Sequence, residues 1–345
     1  MDEFPAEIGT IEQLEEMLSE PTPKLVDYFS GLQGDIAFLG VGGKIGPSLA
    51  RMARLASDKA GSDRHIFGVS RFSNPALQKQ MQQQGVETIQ GDLLDANFVR
   101  QLPRVENVVF LAGNKFGSTD NTAFTWAMNV YVPGLVAEQF RNSRIVAYST
   151  GAVYPFLHIE SGGATEDTPP KADGEYAQSC LGRERMFEYG SAKYGTPTVL
   201  IRLNYAVEMR YGVLVDVGLR VKNKQPIDLT MGFANVVWQG DANAVVLQSF
   251  ALCESPARIL NVTGPETISI RRLANRFGEL FGIDPVFENE ESDTAWLSNA
   301  TQCQRLFGYP NVPFDQIIIW TSKWIEKGLP LLNKPTHFET RNGKF

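Results

Sequence analysis

The chain has 345 residues, 43% of them hydrophobic, and a formal net charge of −7. That is enough apolar side chain for packed cores in about two domains, and an acidic balance with no lysine/arginine block excludes a nucleic-acid surface. Cys180, Cys253 and Cys303 are odd in number, widely spaced and without histidines at ligand spacing, which predicts reduced thiols in a cytoplasmic protein and no metal site.

Residues 1–33 are rich in Glu, and Ile11, Leu14, Met17 and Leu18 recur at helical spacing until Pro21 and Pro23 end the pattern. An N-terminal helical extension is expected there. From about residue 35 short Val/Ile/Phe-rich runs alternate with amphipathic stretches. Strands are predicted near 35–39, 65–69, 86–89, 107–111, 144–149 and 197–203, with helices near 44–58, 74–84, 121–141 and 174–194. The helix from Asp241 to Cys253 and the strand from Arg258 to Val262 return to the same sheet, while helices near 268–281 and 314–327 build a smaller domain. The expected fold class is α/β, a Rossmann-like doubly wound parallel sheet covering 34–205 plus about 240–263. A smaller C-terminal substrate-binding domain takes about 206–239 plus 264–345. Met1-Asp2-Glu3 is acidic, with no basic start before an apolar run, and no run reaches the ~18 apolar residues of a membrane span, so neither secretion nor a membrane span is expected.

Ligands of such sheets bind beyond the carboxyl ends of the strands. The first strand runs into Gly40-Val41-Gly42-Gly43-Lys44-Ile45-Gly46. Glycines at three-residue spacing before a helix leave backbone N–H groups, those of Lys44 and Ile45 among them, for a dinucleotide pyrophosphate. The second strand ends in Ser70-Arg71, where an arginine suits a ribose 2′-phosphate and an acidic residue would suit the free hydroxyls. NADP is therefore expected ahead of NAD. The third strand leads to Gly91-Asp92-Leu93; Asp92 accepts from the adenine amino group or serves the turn before the helix near Asp95.

These motifs, with Val108-Val109-Phe110-Leu111-Ala112-Gly113, Asn129, Ser149-Thr150-Gly151-Ala152-Val153-Tyr154, Glu166-Asp167-Thr168-Pro169-Pro170 and Tyr176, resemble the extended short-chain dehydrogenase/reductase family. That family includes nucleotide-sugar epimerases and dehydratases. The resemblance spans roughly residues 35–328. It implies cofactor contacts from Ala112, Gly113, Asn129, Ser149 and Tyr176, with Tyr176 as the base that takes a hydroxyl proton while nicotinamide takes the hydride. Thr150 matches the residue that holds the substrate oxygen. Where the family reads Tyr-x-x-x-Lys, this helix reads Tyr176-Ala177-Gln178-Ser179-Cys180, and a thiol neither supplies positive charge nor bonds a ribose. Ala112-Gly113-Asn114-Lys115 resembles the Ala-Gly-x-Lys of UDP-galactose 4-epimerase, making Lys115 the first candidate for the missing cation and Arg183, seven residues after Tyr176, the second.

Arg202-Leu203-Asn204-Tyr205, followed by Arg210, stands where sugar-nucleotide members carry a substrate turn, so Asn204, Tyr205 and Arg210 are candidate substrate contacts. The family also implies a homodimer through the helices near 121–141 and 174–194. Two functions remain open on these residues: hydride-transfer chemistry on a sugar, nucleotide sugar or related polyhydroxy compound, and cofactor binding by a catalytically impaired sensor or scaffold.

Overall fold

The computed structural model describes residues 4–115, 117–334 and 336–343, so Met1–Glu3 of the expected extension lie outside the described residues. Seven strands form the central sheet: β1 (Ile36–Leu39), β2 (Ile66–Ser70), β3 (Glu87–Gln90), β4 (Asn107–Phe110), β5 (Arg144–Thr150), β6 (Thr198–Leu203) and β7 (Arg258–Val262). Their order is β7-β6-β5-β4-β1-β2-β3 and every pairing is parallel. Parallel strands are covered on both faces, and β1 is accordingly buried along its whole length. Ile36 and Phe38 enter one core with Leu49, Met52, Val246 and Phe250; Ala37 and Leu39 enter the other with Val132, Val136, Phe140 and Phe187. The strand order reverses between β1 and β4, which opens a crevice at their carboxyl ends.

The two helices of the N-terminal segment are α1 (Ile11–Ser19) and α2 (Pro23–Gly31), each started by a threonine, Thr10 or Thr22, whose hydroxyl accepts a backbone N–H of the first turn. They are not an appended arm. Leu14 and Leu18 sit in the core of the smaller domain, and Leu25 and Phe29 in a core of the sheet.

After β1 come α3 (Gly46–Lys59), α4 (Pro75–Gln83) and α5 (Ala96–Gln101). The single helix expected near 121–141 is instead α6 (Thr122–Trp126), a π-helical turn (Ala127–Tyr131) and α7 (Val132–Gln139). Pro133 has no N–H to return to the carbonyl four residues back, and the ladder widens just before it. The long α8 (Gly174–Tyr194) and α10 (Gln239–Gln248) complete the large domain. In the smaller one, α9 (Val213–Lys222), α11 (Ile270–Phe281) and α13 (Phe314–Glu326) enclose Phe277, Trp320 and Trp324, all fully buried; α12 (Thr301–Phe307) packs on β7. The last residues form a strap back over the crevice: Leu332 N–H donates to the Arg210 carbonyl (3.0 Å), Thr336 N–H to Asp216 Oδ2 (2.9 Å), and Arg341 to the Thr294 carbonyl (2.7 Å).

Gly46 fixes the seat of α3. A Cβ there would lie 2.1 Å from the Val41 carbonyl oxygen, whereas one on Gly31, at the end of α2, would meet nothing within 4 Å. Gly46→Ala should cost about 1–3 kcal/mol in urea denaturation, and Gly31→Ala should stay within about 0.5 kcal/mol of wild type. Equal losses would contradict this packing.

Candidate active site

The glycines of the first turn do three different jobs. Gly40 has φ +92°, and a Cβ on it would come 2.5 Å from the Ala112 amide; Gly46 lets helix lie on strand, as above. Gly43 is required by neither. Its Cβ would meet only the Gly40 carbonyl at 3.6 Å, an ordinary contact, and the residue faces the cleft. Space left on the ligand side of a turn, at a helix whose N-cap Ile45 supplies no capping side chain, is what a pyrophosphate needs. The cleft continues from there with a volume near 930 Å³, between the large domain's strand ends and the smaller domain.

Several expected cofactor contacts lie in it and others do not. Gly40, Gly43, Lys44, Ile45, Gly46, Gly113, Lys115, Ser149, Thr150 and Tyr176 line the cleft. Ala112 lies behind, its N–H donating to the Leu39 carbonyl (3.0 Å) against Gly40. Ser70 packs under Gly42. Arg71 is exposed and does not line the cleft, so the expectation of NADP finds no support in its placement. Asp92 spends its carboxylate on the Leu94 N–H (3.0 Å), and Leu93 is buried; Asp95 caps α5 through Asn97 N–H (2.8 Å). The turn reading accounts for Asp92.

Thr150 ends β5, and its hydroxyl oxygen accepts the Ala152 N–H (3.1 Å), starting the short helical turn Gly151–Val153. The Tyr176 hydroxyl, from the first turn of α8, meets the Thr150 hydroxyl and the Cys180 thiol. Burial holds that tyrosine well above its usual range and the thiol adds to the rise, while the Arg183 guanidinium and the Thr150 hydrogen bond pull it down. The Cys180 thiol is itself raised by burial, so it stays neutral near neutral pH. Lys115 Nζ donates to the Thr336 carbonyl of the strap (3.1 Å) and stands 5.9 Å from the Tyr176 ring centroid. Asn129, which sequence reading placed by resemblance alone, is fully buried and joins β4 to α8: its amide donates to the Asn114 carbonyl and Ser179 hydroxyl (both 2.9 Å), and its oxygen accepts from Asn114 N–H (2.8 Å). Ser149 donates to Glu184, whose carboxylate is held by Arg202 at 2.7 and 2.9 Å in a buried bidentate pair. Arg202 is therefore structural.

On the other wall, Asn204 Nδ2 donates to the Trp296 carbonyl (3.4 Å) and Tyr205 takes a left-handed backbone with φ +40°, a strained conformation where the chain leaves β6. Arg210 is bound by Glu208 (3.2 Å) and by Glu15 of α1 (2.6 Å), a partner the sequence did not reveal. All three residues line the cleft, as do Ile11 and Glu15 from the N-terminal helix and Leu332, Lys334 and Thr336 from the strap. Lys44 spans the mouth: its Nζ donates to the Ala206 carbonyl (2.9 Å) and lies 4.2 Å from the Tyr211 ring centroid.

Burial lowers both Lys44 and Lys115 from 10.5 to about 8. Each lysine then binds more protons unfolded than folded above about pH 8, so the cost of enclosing the charges falls as pH rises. Relative to Lys44→Met/Lys115→Met, the ligand-free wild type should gain stability between about pH 8 and pH 10, by up to about 1.4 kcal/mol per pH unit per lysine. Parallel stability curves for the two proteins in urea would contradict these positions.

Residues 36–207 match the model of the NAD dependent epimerase/dehydratase family. No significant relative is found among curated protein sequences. Among solved structures, the chain is similar to the UDP-glucose 4-epimerase of Thermus thermophilus in complex with NAD (18% identity, TM-score 0.69, 86% of this chain and 100% of that one). It is also similar to the UDP-glucuronic acid 4-epimerase of Bacillus cereus in complex with NAD (16%, 0.70, 85% and 99%). A third likeness is to the dTDP-glucose 4,6-dehydratase of Bacillus anthracis in complex with NAD (16%, 0.72, 85% and 96%). With the glycine turn, the Thr150–Tyr176 pair and the 3-2-1-4-5-6-7 sheet in place, the chain belongs to the NAD dependent epimerase/dehydratase family, of the extended short-chain dehydrogenase/reductase type.

Proposed function

We propose that the protein is an NAD-dependent epimerase or dehydratase that acts on a sugar carried by a nucleoside diphosphate. The observation that carries this reading is the meeting of the Tyr176 and Thr150 hydroxyls inside the same cleft that begins at the glycine turn. A base and an orienting hydroxyl at one end and a pyrophosphate seat at the other are the parts hydride transfer needs.

The Lys44 and Ile45 amides and the start of α3 would hold the pyrophosphate, with Gly113 also in the cleft lining. Bound NAD would accept the hydride from the carbon whose hydroxyl Tyr176 deprotonates. Thr150 holds that hydroxyl's oxygen and shares its hydrogen bond with Tyr176. Lys115, over the ring face, adds positive charge near the phenolate that forms. NAD is preferred to NADP because Arg71 is exposed and does not line the cleft.

The cleft wall points to an anionic substrate. Lys44, Lys115, Arg183, Arg210 and Lys334 line it with Glu15, and Glu208 pairs with Arg210, in a chain whose net charge is −7. A basic lining of this kind favours an anionic substrate beside the cofactor pyrophosphate, and a second diphosphate fits it. Asn204, Tyr205 and Arg210 are the proposed substrate contacts. A homodimer fits the exposed Trp126, Tyr131 and Tyr189 on the α6–α7 and α8 segments. Cytoplasmic residence fits three free cysteines. The second reading, a cofactor-binding sensor, rests on Cys180 in the lysine position.

The test is turnover of a panel of nucleotide sugars with NAD, followed by product analysis and nicotinamide absorbance. Tyr176→Phe should lower turnover about 10²–10⁴-fold while leaving NAD affinity within about threefold. NAD binding without turnover of any panel member by wild type would favour the sensor instead.

A further inference from the structure

Beside Tyr176 lies a buried charge that neither the fold nor the pairings so far explain. Arg183 is 6% exposed and lines the cleft, on the helix face that also carries Tyr176 and Cys180 at i, i+4 and i+7 spacing. Side chains on a helix lean toward its N-terminus, so a long arginine at i+7 reaches back over the turn where a lysine at i+4 would end. Its Nη1 donates to the Tyr148 carbonyl (2.9 Å) and its Nη2 to Asn129 Oδ1 (2.8 Å), while Nε has no hydrogen-bond partner.

A guanidinium cannot shed its charge, and taking it out of water is costly unless an opposite charge compensates. Among the described residues no carboxylate pairs with Arg183; the neighbouring Glu184 is satisfied by Arg202. The surroundings are nevertheless arranged to admit it. A Cβ on Gly113 would lie 2.3 Å from Arg183 Nη2, so the glycine before Asn114 is the room the guanidinium occupies. Asn129, placed by the π-helical turn, turns its oxygen toward Arg183 and its nitrogen away. A fixed cation with three of its flanks built and its negative partner missing is a site waiting for negative charge.

We propose that Arg183 takes over the work of the lysine that Cys180 replaces, as a positioning residue that stabilises the Tyr176 phenolate from the floor of the cleft. This rests on the hydride-transfer reading of the site. Among the described residues, the groups facing Tyr176 and Arg183 include Cys180 and Glu184 on the same helix, Thr150 and Tyr148 from β5, the Phe110 ring of β4 (5.6 Å from the guanidinium carbon), Asn129 from the π-helical turn and Lys115 from the loop after β4. Arg183 already opposes the rise in the tyrosine and in the thiol. Lys115 differs in being bound to the strap and in being lowered by burial to about 8, so its charge is tunable.

The test reads the phenol directly and does not depend on finding the substrate. Full-length protein carrying ¹³Cζ-tyrosine is titrated by NMR with saturating NAD, Tyr176 being assigned by loss of its signal in Tyr176→Phe. Arg183→Met should raise the Tyr176 midpoint by at least about one pH unit, with Arg183→Lys recovering most of that shift and Arg183→Met/Cys180→Lys restoring it. If Arg183→Met does not fold, wild type still decides: the ¹⁵Nε signal of Arg183, assigned through Arg183→Lys, should shift with the same midpoint as Tyr176. An unchanged Tyr176 midpoint in folded Arg183→Met, or an Arg183 signal indifferent to Tyr176 ionisation, would overturn the proposal. Either result would leave the hydride-transfer reading to stand or fall on Tyr176→Phe.

Discussion

The structure depends on a backbone approach too close for any side chain. Where β1 turns into α3, Gly40 is packed against the Ala112 amide and Gly46 against the Val41 carbonyl, so strand, turn and helix lock together at the point where the sheet reverses direction. Everything functional is placed from there. Gly43, Lys44 and Ile45 of the turn line the cleft, β4 and β5 deliver Gly113, Ser149 and Thr150 to it, and α8 brings Tyr176 and Arg183 along one face. Gly43, where a Cβ would meet only an ordinary contact, is not held small by the protein's own packing.

Charge is organised around that cleft with unequal economy. Glu184 and Arg202 neutralise each other in the interior, bidentate and tied to Ser149, and so hold β5, β6 and α8 together without acting on the site. Arg210 is similarly spent on Glu208 and Glu15. Lys44 and Lys115 each donate to a backbone carbonyl, and Arg183 to a carbonyl and an amide oxygen, contacts that orient these cations in the cleft wall. Such contacts also give the two ends of the chain a role. Glu15 from α1 and Thr336 from the strap each bind a cation of the cleft, so segments outside the family match of residues 36–207 shape the site.

Much of this was legible in the sequence, for physical reasons that also mark where legibility stops. Parallel strands are apolar on both faces, so runs such as Ile36–Leu39 and Val108–Phe110 stand out, and the glycine spacing announces the turn. Tyr176 and Thr150 came from the order of motifs, and the fold brings them into contact. What the sequence left open depended on burial or on distant partners. Arg71 stands at the expected strand end but is exposed and outside the cleft lining, which no pattern encodes. Asp92 had two uses on paper, and one of its oxygens serves the turn. An amphipathic stretch such as Ile11–Leu18 shows that one face is covered but not by what, so the extension read as an arm although it fills two cores. The strap is held by pairs such as Thr336 and Asp216, 120 positions apart, with no periodicity to betray it. Arg183 ranked behind Lys115 because helical spacing alone hides how far an arginine reaches back.

The central claim is that one cleft seats NAD with its pyrophosphate on the glycine turn and its nicotinamide at the Tyr176–Thr150 pair. A crystal structure of the protein with NAD tests it most directly. The account predicts pyrophosphate oxygens within hydrogen-bond distance of the Lys44 and Ile45 amides, no phosphate contact from Arg71, and the nicotinamide ring beside Gly113 facing the Tyr176 hydroxyl. A dinucleotide bound elsewhere, or one whose nicotinamide lies away from Tyr176, would contradict it.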